Sequence, residues 1–304
     1  MMGADLDKLR LQLVSAQNVT REKVDRLIHS CLEIAQTDRR TIAFYLTRCT
    51  ADDFREDELV SFLVNQMVTY VLSKGEYQEI KPEDARQVVL AAKETFQKVE
   101  GSGEAGELLL YVLLESRGIV QLYSKMDLKT SSGMPFHGYD AIHLQAGKAI
   151  VLHFGHAKTH ASFSGGLASA LDDIERFRKN AAKKSRELRL VSKNLDKVKF
   201  GDSAKDIEEL INPYSKHKEN YSESDSVFIG SEFLFMKEAE NAKGPELDKF
   251  MLGRYQRAAS EIAEAVNSTV ERRADAKNLT LLFLILPITN VEEFRKKFTK
   301  ELSR

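Results

Sequence analysis

Hydrophobic positions in the first hundred residues recur mostly at intervals of three to four residues, the spacing of an amphipathic helix. One run follows Thr20, a residue type that often caps helix N-termini, and contains Val24, Leu27, Ile28, Cys31, Leu32 and Ile34. A second run begins at Leu59 and ends near Gly75, and a third begins at Pro82, a residue suited to the first helical turn. The pattern predicts that residues 1–100 form an N-terminal helical region.

The pattern changes after Gly101-Ser102-Gly103, whose small residues predict a linker. Residues 104–115 again have helical spacing, but short apolar runs of strand length follow. Predicted strands cover 119–126, 137–144, 148–158, 227–236 and 279–286, and predicted helices cover 167–189, 246–270 and 291–302. This alternation is typical of an α/β (α+β) fold with a mixed sheet flanked by helices. We therefore interpret residues 101–304 as a second domain.

Composition excludes several classes of protein. Of the 304 residues 42% are hydrophobic, which excludes a disordered chain, and the net charge of −1 excludes nucleic-acid binding through bulk charge. Cys31 and Cys49 are too few for a disulfide scaffold or a four-cysteine zinc site. The chain has no apolar run long enough to span a bilayer and does not begin with a signal-peptide pattern, so we expect a cytoplasmic protein without membrane contact.

The stretch from Gly138 to His160 carries the candidate chemistry. Asp140 opens one predicted strand, and an apolar run leads a second strand to His156 and Lys158. Because side chains alternate along a strand, His156 and Lys158 share a face. A metal ligand beside an ammonium group suits phosphodiester cleavage, since the cation activates water and the ammonium stabilises the developing charge.

The turn between these two strands decides whether Asp140 joins that face. A two-residue turn at Ala146-Gly147 places Asp140 opposite His153, whereas a three-residue loop at 146–148 places it opposite Phe154. A slip of one residue moves every side chain to the other face of the sheet. We therefore predict an odd-length loop, which brings the carboxylate to the face of the candidate ligand and ammonium.

An acidic helix, an aspartate and an apolar strand ending in Glu-x-Lys form the signature of the PD-(D/E)xK nuclease superfamily, and this chain resembles it. The segments that carry the resemblance are Gly106–Tyr111, Gly138–Asp140 and Phe154–His160. The resemblance implies a restriction-endonuclease-like sheet and a site that binds Mg²⁺ or Mn²⁺. It also implies Asp140, His156 and Lys158 as catalytic residues, with Asp140, His156 and Glu107 (or Glu104) as metal ligands.

The wider context resembles the HamA family of the Hachiman anti-phage system. It is carried by Lys125-Met126, His137–Asp140 and Gly165–Ile174. That resemblance implies a DNA nuclease effector that acts with a helicase partner, HamB.

His156 stands where the superfamily has glutamate. Imidazole suits transition metals such as Mn²⁺, whereas Mg²⁺ prefers oxygen ligands. The residues leave several alternatives open: a weakened site, a site retuned to another metal, an inactive site, or one in which Asp140 and Glu107 carry the charge. The function predicted is therefore a metal-dependent DNA nuclease, and its alternative is a catalytically degenerate adaptor that binds DNA or the helicase.

Positive charge is concentrated directly after this stretch. Residues 176–199 contain ten Lys or Arg against Glu187 and Asp196, a local net charge of +8. Such clustering in a near-neutral chain is typical of phosphate contact, although a solvated helix face or a docking site for an acidic partner gives the same pattern. The predicted DNA-binding residues are Lys183, Lys184, Arg186 and Arg189.

Overall fold

The computed structural model of the chain describes residues 3–49, 54–96, 103–123, 138–214, 221–239 and 247–304. Within these residues lies a mixed sheet of seven strands in the order β1-β2-β7-β6-β5-β4-β3. The strands are β1 (Ile28–Thr37), β2 (Arg40–Thr47), β3 (Val120–Gln121), β4 (Ala141–Ala146), β5 (Ile150–His160), β6 (Ser222–Ser231) and β7 (Leu281–Pro287). The four central strands run parallel, and β1, β4 and β3 pair antiparallel at the two sides. The predicted fold class, a mixed sheet flanked by helices, is confirmed.

Helices cover both faces of the sheet. They are α1 (Gly3–Ala16), α2 (Arg21–Asp25), α3 (Glu56–Val71), α4 (Lys74–Glu79), α5 (Ala85–Glu94), α6 (Glu104–Ser116), α7 (Phe163–Lys179), α8 (Ala181–Lys193), α9 (Lys197–Phe200), α10 (Ala204–Ile211), α11 (Leu234–Ala239), α12 (Leu247–Glu271) and α13 (Val291–Leu302). One core lies between the sheet and α3, α6 and α13, and a second between the sheet and α7 and α12. A third surrounds β3–β5 with α1, α8 and α10. No helix in the described ranges combines the length and apolarity needed to cross a membrane.

The helix predicted through Val24–Ile34 is wrong. Thr20 does precede a helix, but α2 has only five residues, and β1 and β2 follow as a hairpin. β1 is irregular: its pairing register shifts between Ser30 and Leu32 and again between Ala35 and Thr37. These bulges break the strand's period of two, so the apolar residues fall at intervals that resemble a helix.

β2 pairs with β7, which lies about 240 residues later in the chain. Strands from both predicted domains therefore contribute to one sheet. The predicted linker residues 101 and 102 lie outside the described residues, as do 124–137, so the predicted strand 119–126 is described only at its start, where β3 is short.

The predicted helix over 167–189 is in fact two helices, because the chain breaks at Asn180 between α7 and α8. The Asn180 side chain accepts a hydrogen bond of 2.9 Å from the amide of Lys183 and so caps α8, a role that asparagine favours. The predicted helices at 59–75, 104–115, 246–270 and 291–302 correspond to α3, α6, α12 and α13. The short helices α9, α10 and α11 were not predicted, and the strand predicted over 227–236 is β6, which begins earlier and ends at Ser231, before α11.

Candidate functional site

The loop between β4 and β5 has the odd length that the site requires. Ala141 lies opposite Gly155 and Ala146 opposite Ile150, which leaves the three residues 147–149 as the loop. The odd length is confirmed, although the loop begins one residue later than predicted. Position 140 therefore aligns with His156 and not with Phe154.

Asp140 precedes β4 by one residue and lies beside the part of β5 that extends past the start of β4. Its amide donates to the carbonyl of Gly155 at 3.0 Å, and its Oδ2 accepts a hydrogen bond of 2.7 Å from the amide of Ala157. That amide points along the plane of the sheet, toward the side on which β4 pairs. The carboxylate consequently accepts the hydrogen bond that the carbonyl of the preceding residue would accept if β4 began earlier, and it lies at the corner where β4 starts.

Tight packing of α6 on β5 brings Glu107 to the same corner. A Cβ on Gly155 would lie 2.7 Å from the Cβ of Ala141 and 2.8 Å from Leu110, and a Cβ on Gly106 would lie 3.2 Å from Thr159. The two glycines allow the helix to approach the strand closely, as small residues do at crowded contacts. Glu107 follows directly in α6.

The Glu107 charge acts on the Asp140 carboxylate. Burial and the nearby Glu107 charge raise the pKa of Asp140 to about 6, against the opposing effects of the Ala157 N–H, His156 and Lys158. The Tyr70 hydroxyl lies 3.4 Å from Oε2 of Glu107 and 3.5 Å from the carbonyl oxygen of Asp140. Two acids held together in a poorly solvated corner favour a bound cation or proton, which relieves their repulsion.

His156 and Lys158 lie on the opposite face from α6, since Ala157 between them packs into the α6 core. Nε2 of His156 lies 3.2 Å from Oδ1 of Asp225 on β6. Arg178 of α7 donates to the other oxygen of Asp225 at 2.7 Å. The imidazole is thereby engaged in a buried ion network.

The Lys158 ammonium pairs with Oδ2 of Asp173 on α7. Arg176, one helical turn later, donates to Oδ1 of the same carboxylate at 2.6 Å. The Lys158 charge nevertheless acts on Asp140. It lowers the pKa of that carboxyl, although burial and Glu107 raise the pKa by more.

The carboxylates of Asp140 and Glu107 fit a hard divalent cation by their chemistry, because carboxylate oxygens are its preferred ligands. His156 faces Asp225, so the structure does not direct its Nε2 to that pair. Across the described ranges, no group of three or more His, Cys, Asp and Glu side chains is arranged to hold a metal ion. Glu104, the alternative to Glu107, is largely buried at the start of α6.

The predicted DNA-binding residues lie on α8 but differ in environment. Lys184 is half-buried and pairs with Glu223 of β6, which also accepts from Arg178. The Nζ atom of Lys183 lies over the Phe177 ring, 4.2 Å from its centre. The remaining two, Arg186 and Arg189, are exposed together with Lys193 at spacings of three and four residues on one side of the helix.

Asp173, Asp225 and Tyr70 are parts of this arrangement that sequence reasoning did not identify. Glu223 and Asp225 are two apart at the start of a strand, so a shared face could have been inferred. The partners of these acids could not, since β5 and β6 are separated by about sixty residues.

Comparison with known proteins bears on the identity of the chain. A search of curated proteins finds no match to it. A sequence model of the HamA family matches residues 23–302, which is nearly the whole chain. The chain therefore belongs to the HamA family, a component of the Hachiman anti-phage defence system.

Proposed function

We propose that this chain is a metal-dependent DNA nuclease subunit that acts with a helicase partner. The observation that carries the proposal is the pair of carboxylates, Asp140 just before the start of β4 and Glu107 on α6, with Asp140 within range of the Lys158 charge. Acids brought together with a perturbed pKa, next to a cation, are characteristic of catalytic sites. Membership of a defence family is consistent with an activity directed at DNA.

In this proposal Asp140 and Glu107 would hold a divalent cation, and its chemistry there would be to lower the pKa of a water that attacks a phosphodiester. Asp140 is kept in place by the Ala157 amide, and Glu107 by α6 and the Tyr70 hydroxyl. Lys158 stabilises the negative charge that develops on the phosphate. The exposed cations of α8 hold the DNA backbone without reading bases.

A second candidate function is a degenerate nuclease that serves as a DNA-binding adaptor. The observation that favours it is the contact of His156 with Asp225, because the side chain at the superfamily's glutamate position is engaged elsewhere. Both candidates predict DNA binding, and only the first predicts cleavage.

A plasmid-nicking assay with the helicase partner present separates the two. Wild-type protein is expected to nick DNA with Mn²⁺ or Mg²⁺ and not with EDTA. Asp140→Asn and Lys158→Met are expected to lose nicking, while Lys148→Met, a change at an exposed lysine of the β4–β5 loop, retains it. DNA binding without nicking under any metal would favour the adaptor.

A further inference from the structure

The carboxylate of Asp173 is shared between two cations that come from different elements. Oδ2 contacts the Lys158 ammonium at the end of β5, and Oδ1 contacts the Arg176 guanidinium at 2.6 Å. Asp173 is 18% exposed and Lys158 24% exposed, whereas Arg176 is 69% exposed. The pair of cations is thus partly open to solvent from the side of Arg176.

This arrangement resembles the contacts that a phosphodiester makes. A backbone phosphate offers two unesterified oxygens, and each accepts well from an ammonium or a guanidinium. Within the described residues Asp173 is the one acid that forms an ion pair with Lys158, so removing its charge takes away the carboxylate in contact with the ammonium.

The neighbouring acid on α7 has different surroundings. Asp172 is 65% exposed and pairs with Arg273, which follows α12. Of these two consecutive aspartates only Asp173 contacts Lys158, the lysine of β5 whose charge acts on Asp140.

We infer that Asp173 is an internal anion that occupies the Lys158–Arg176 cation pair, and that a DNA backbone phosphate replaces it when nucleic acid binds. This inference rests on the proposed function and extends it, since it adds Arg176 to the groups that bind phosphate and makes Asp173 the residue that limits affinity. A carboxylate in this place opposes every phosphate that approaches the two cations, so DNA has to compete with it.

Binding of a labelled DNA duplex to the full chain, measured by fluorescence anisotropy in EDTA at several salt concentrations, tests the inference without any cleavage. Asp173→Asn is expected to bind about tenfold more tightly than wild type, because a like charge next to the incoming phosphate is removed. Its affinity is also expected to fall more steeply with salt, by about 0.9 log units per log unit of salt for one additional bound phosphate.

Asp172→Asn is the matched control and is expected to change affinity by less than about twofold, since exposed charges at longer range are screened. Asp173→Glu keeps the negative charge and is expected to bind like wild type, which separates the charge from any effect on folding. Equal affinity for Asp173→Asn and Asp172→Asn, or weaker binding by Asp173→Asn, overturns the inference while wild-type binding leaves the proposed function standing. Absence of binding by wild type and by Asp173→Asn alike overturns both.

Discussion

Asp225 holds His156 in the interior of the protein, with Nε2 of the imidazole 3.2 Å from Oδ1 of the carboxylate. The exposed fraction is 2% for the His156 side chain and 0% for that of Asp225. Burial alone would raise the pKa of Asp225, but His156 and Arg178 together hold it below its ordinary value. A substitution at position 156 therefore acts on a buried ion network as well as on the candidate site.

Replacing His156 with glutamate is expected to destabilise the protein by about 1–3 kcal/mol at pH 8, because it brings a second carboxylate against Asp225. Asp225→Asn in the same chain is expected to relieve part of that cost. Urea unfolding of the two single variants and the double variant measures the coupling between the positions. A coupling energy near zero would show that the new carboxylate avoids Asp225.

The exposed cations of α8 are expected to carry the DNA affinity that the sequence analysis assigned to Lys183, Lys184, Arg186 and Arg189. Replacing Arg186, Arg189 and Lys193 with alanine is expected to weaken binding and to reduce the salt slope by up to about 0.9 for each phosphate that is no longer bound. Lys184→Ala is the comparison, since that ammonium already pairs with Glu223. Lys184→Ala is expected to lower the free energy of unfolding and to have little effect on the salt slope of DNA binding. Loss of helicase binding with unchanged DNA affinity in the triple variant would make this face a protein-docking surface.

Asp140 is expected to lower the stability of the metal-free protein at neutral pH. Its pKa of about 6 in the folded chain exceeds the ordinary value of 3.8, so the folded state binds more protons between those values. Stability from this group therefore falls as the pH rises from about 4 to 6. Asp140→Asn is expected to raise the free energy of unfolding by about 1–2 kcal/mol at pH 7.5 and by less at pH 5, measured by urea unfolding in EDTA. A loss of stability at pH 7.5 would show that the carboxylate is needed for folding.

The buried histidines of the sheet are expected to make the protein sensitive to acid. Burial, with a smaller contribution from Arg117, lowers the pKa of His153 to about 4, and burial lowers the pKa of His143 well below its ordinary value. Between about pH 6.5 and pH 4 the unfolded chain binds protons that the folded chain does not, so stability falls as the pH falls through that window. Each such histidine adds a slope of up to about 1.4 kcal/mol per pH unit.

His153→Gln is expected to reduce the pH dependence of the free energy of unfolding between pH 6.5 and 4.5 by the contribution of one histidine. Urea unfolding at a series of pH values measures this dependence. His160→Gln, a change at an exposed histidine at the end of the same strand, is the control for the histidine-to-glutamine substitution itself. Equal slopes for wild type and His153→Gln would show that His153 is protonated in the folded protein.

Local sequence patterns determined much of the sheet and several of its helices. The helix of α6 and the strands β4, β5 and β7 follow from the spacing of apolar residues, which depends only on backbone geometry. The spacing of His156 and Lys158 placed them on one face of β5 for the same reason. The odd length of the β4–β5 loop could also be predicted, because Asp140 aligns with that face only if the loop has an odd number of residues.

Tertiary structure decided what these residues touch. The sequence of β1 resembles a helix because bulges disturb its alternation, and the place of the β1–β2 hairpin in the sheet depends on β7, far along the chain. His156 meets Asp225 across 69 residues, and Lys158 meets Asp173 only because α7 packs back onto β5. Such contacts join elements that are distant in the sequence, and the periodicity of one element does not specify which other element packs against it. The pairing of these charges therefore arises only when the sheet and its helices assemble.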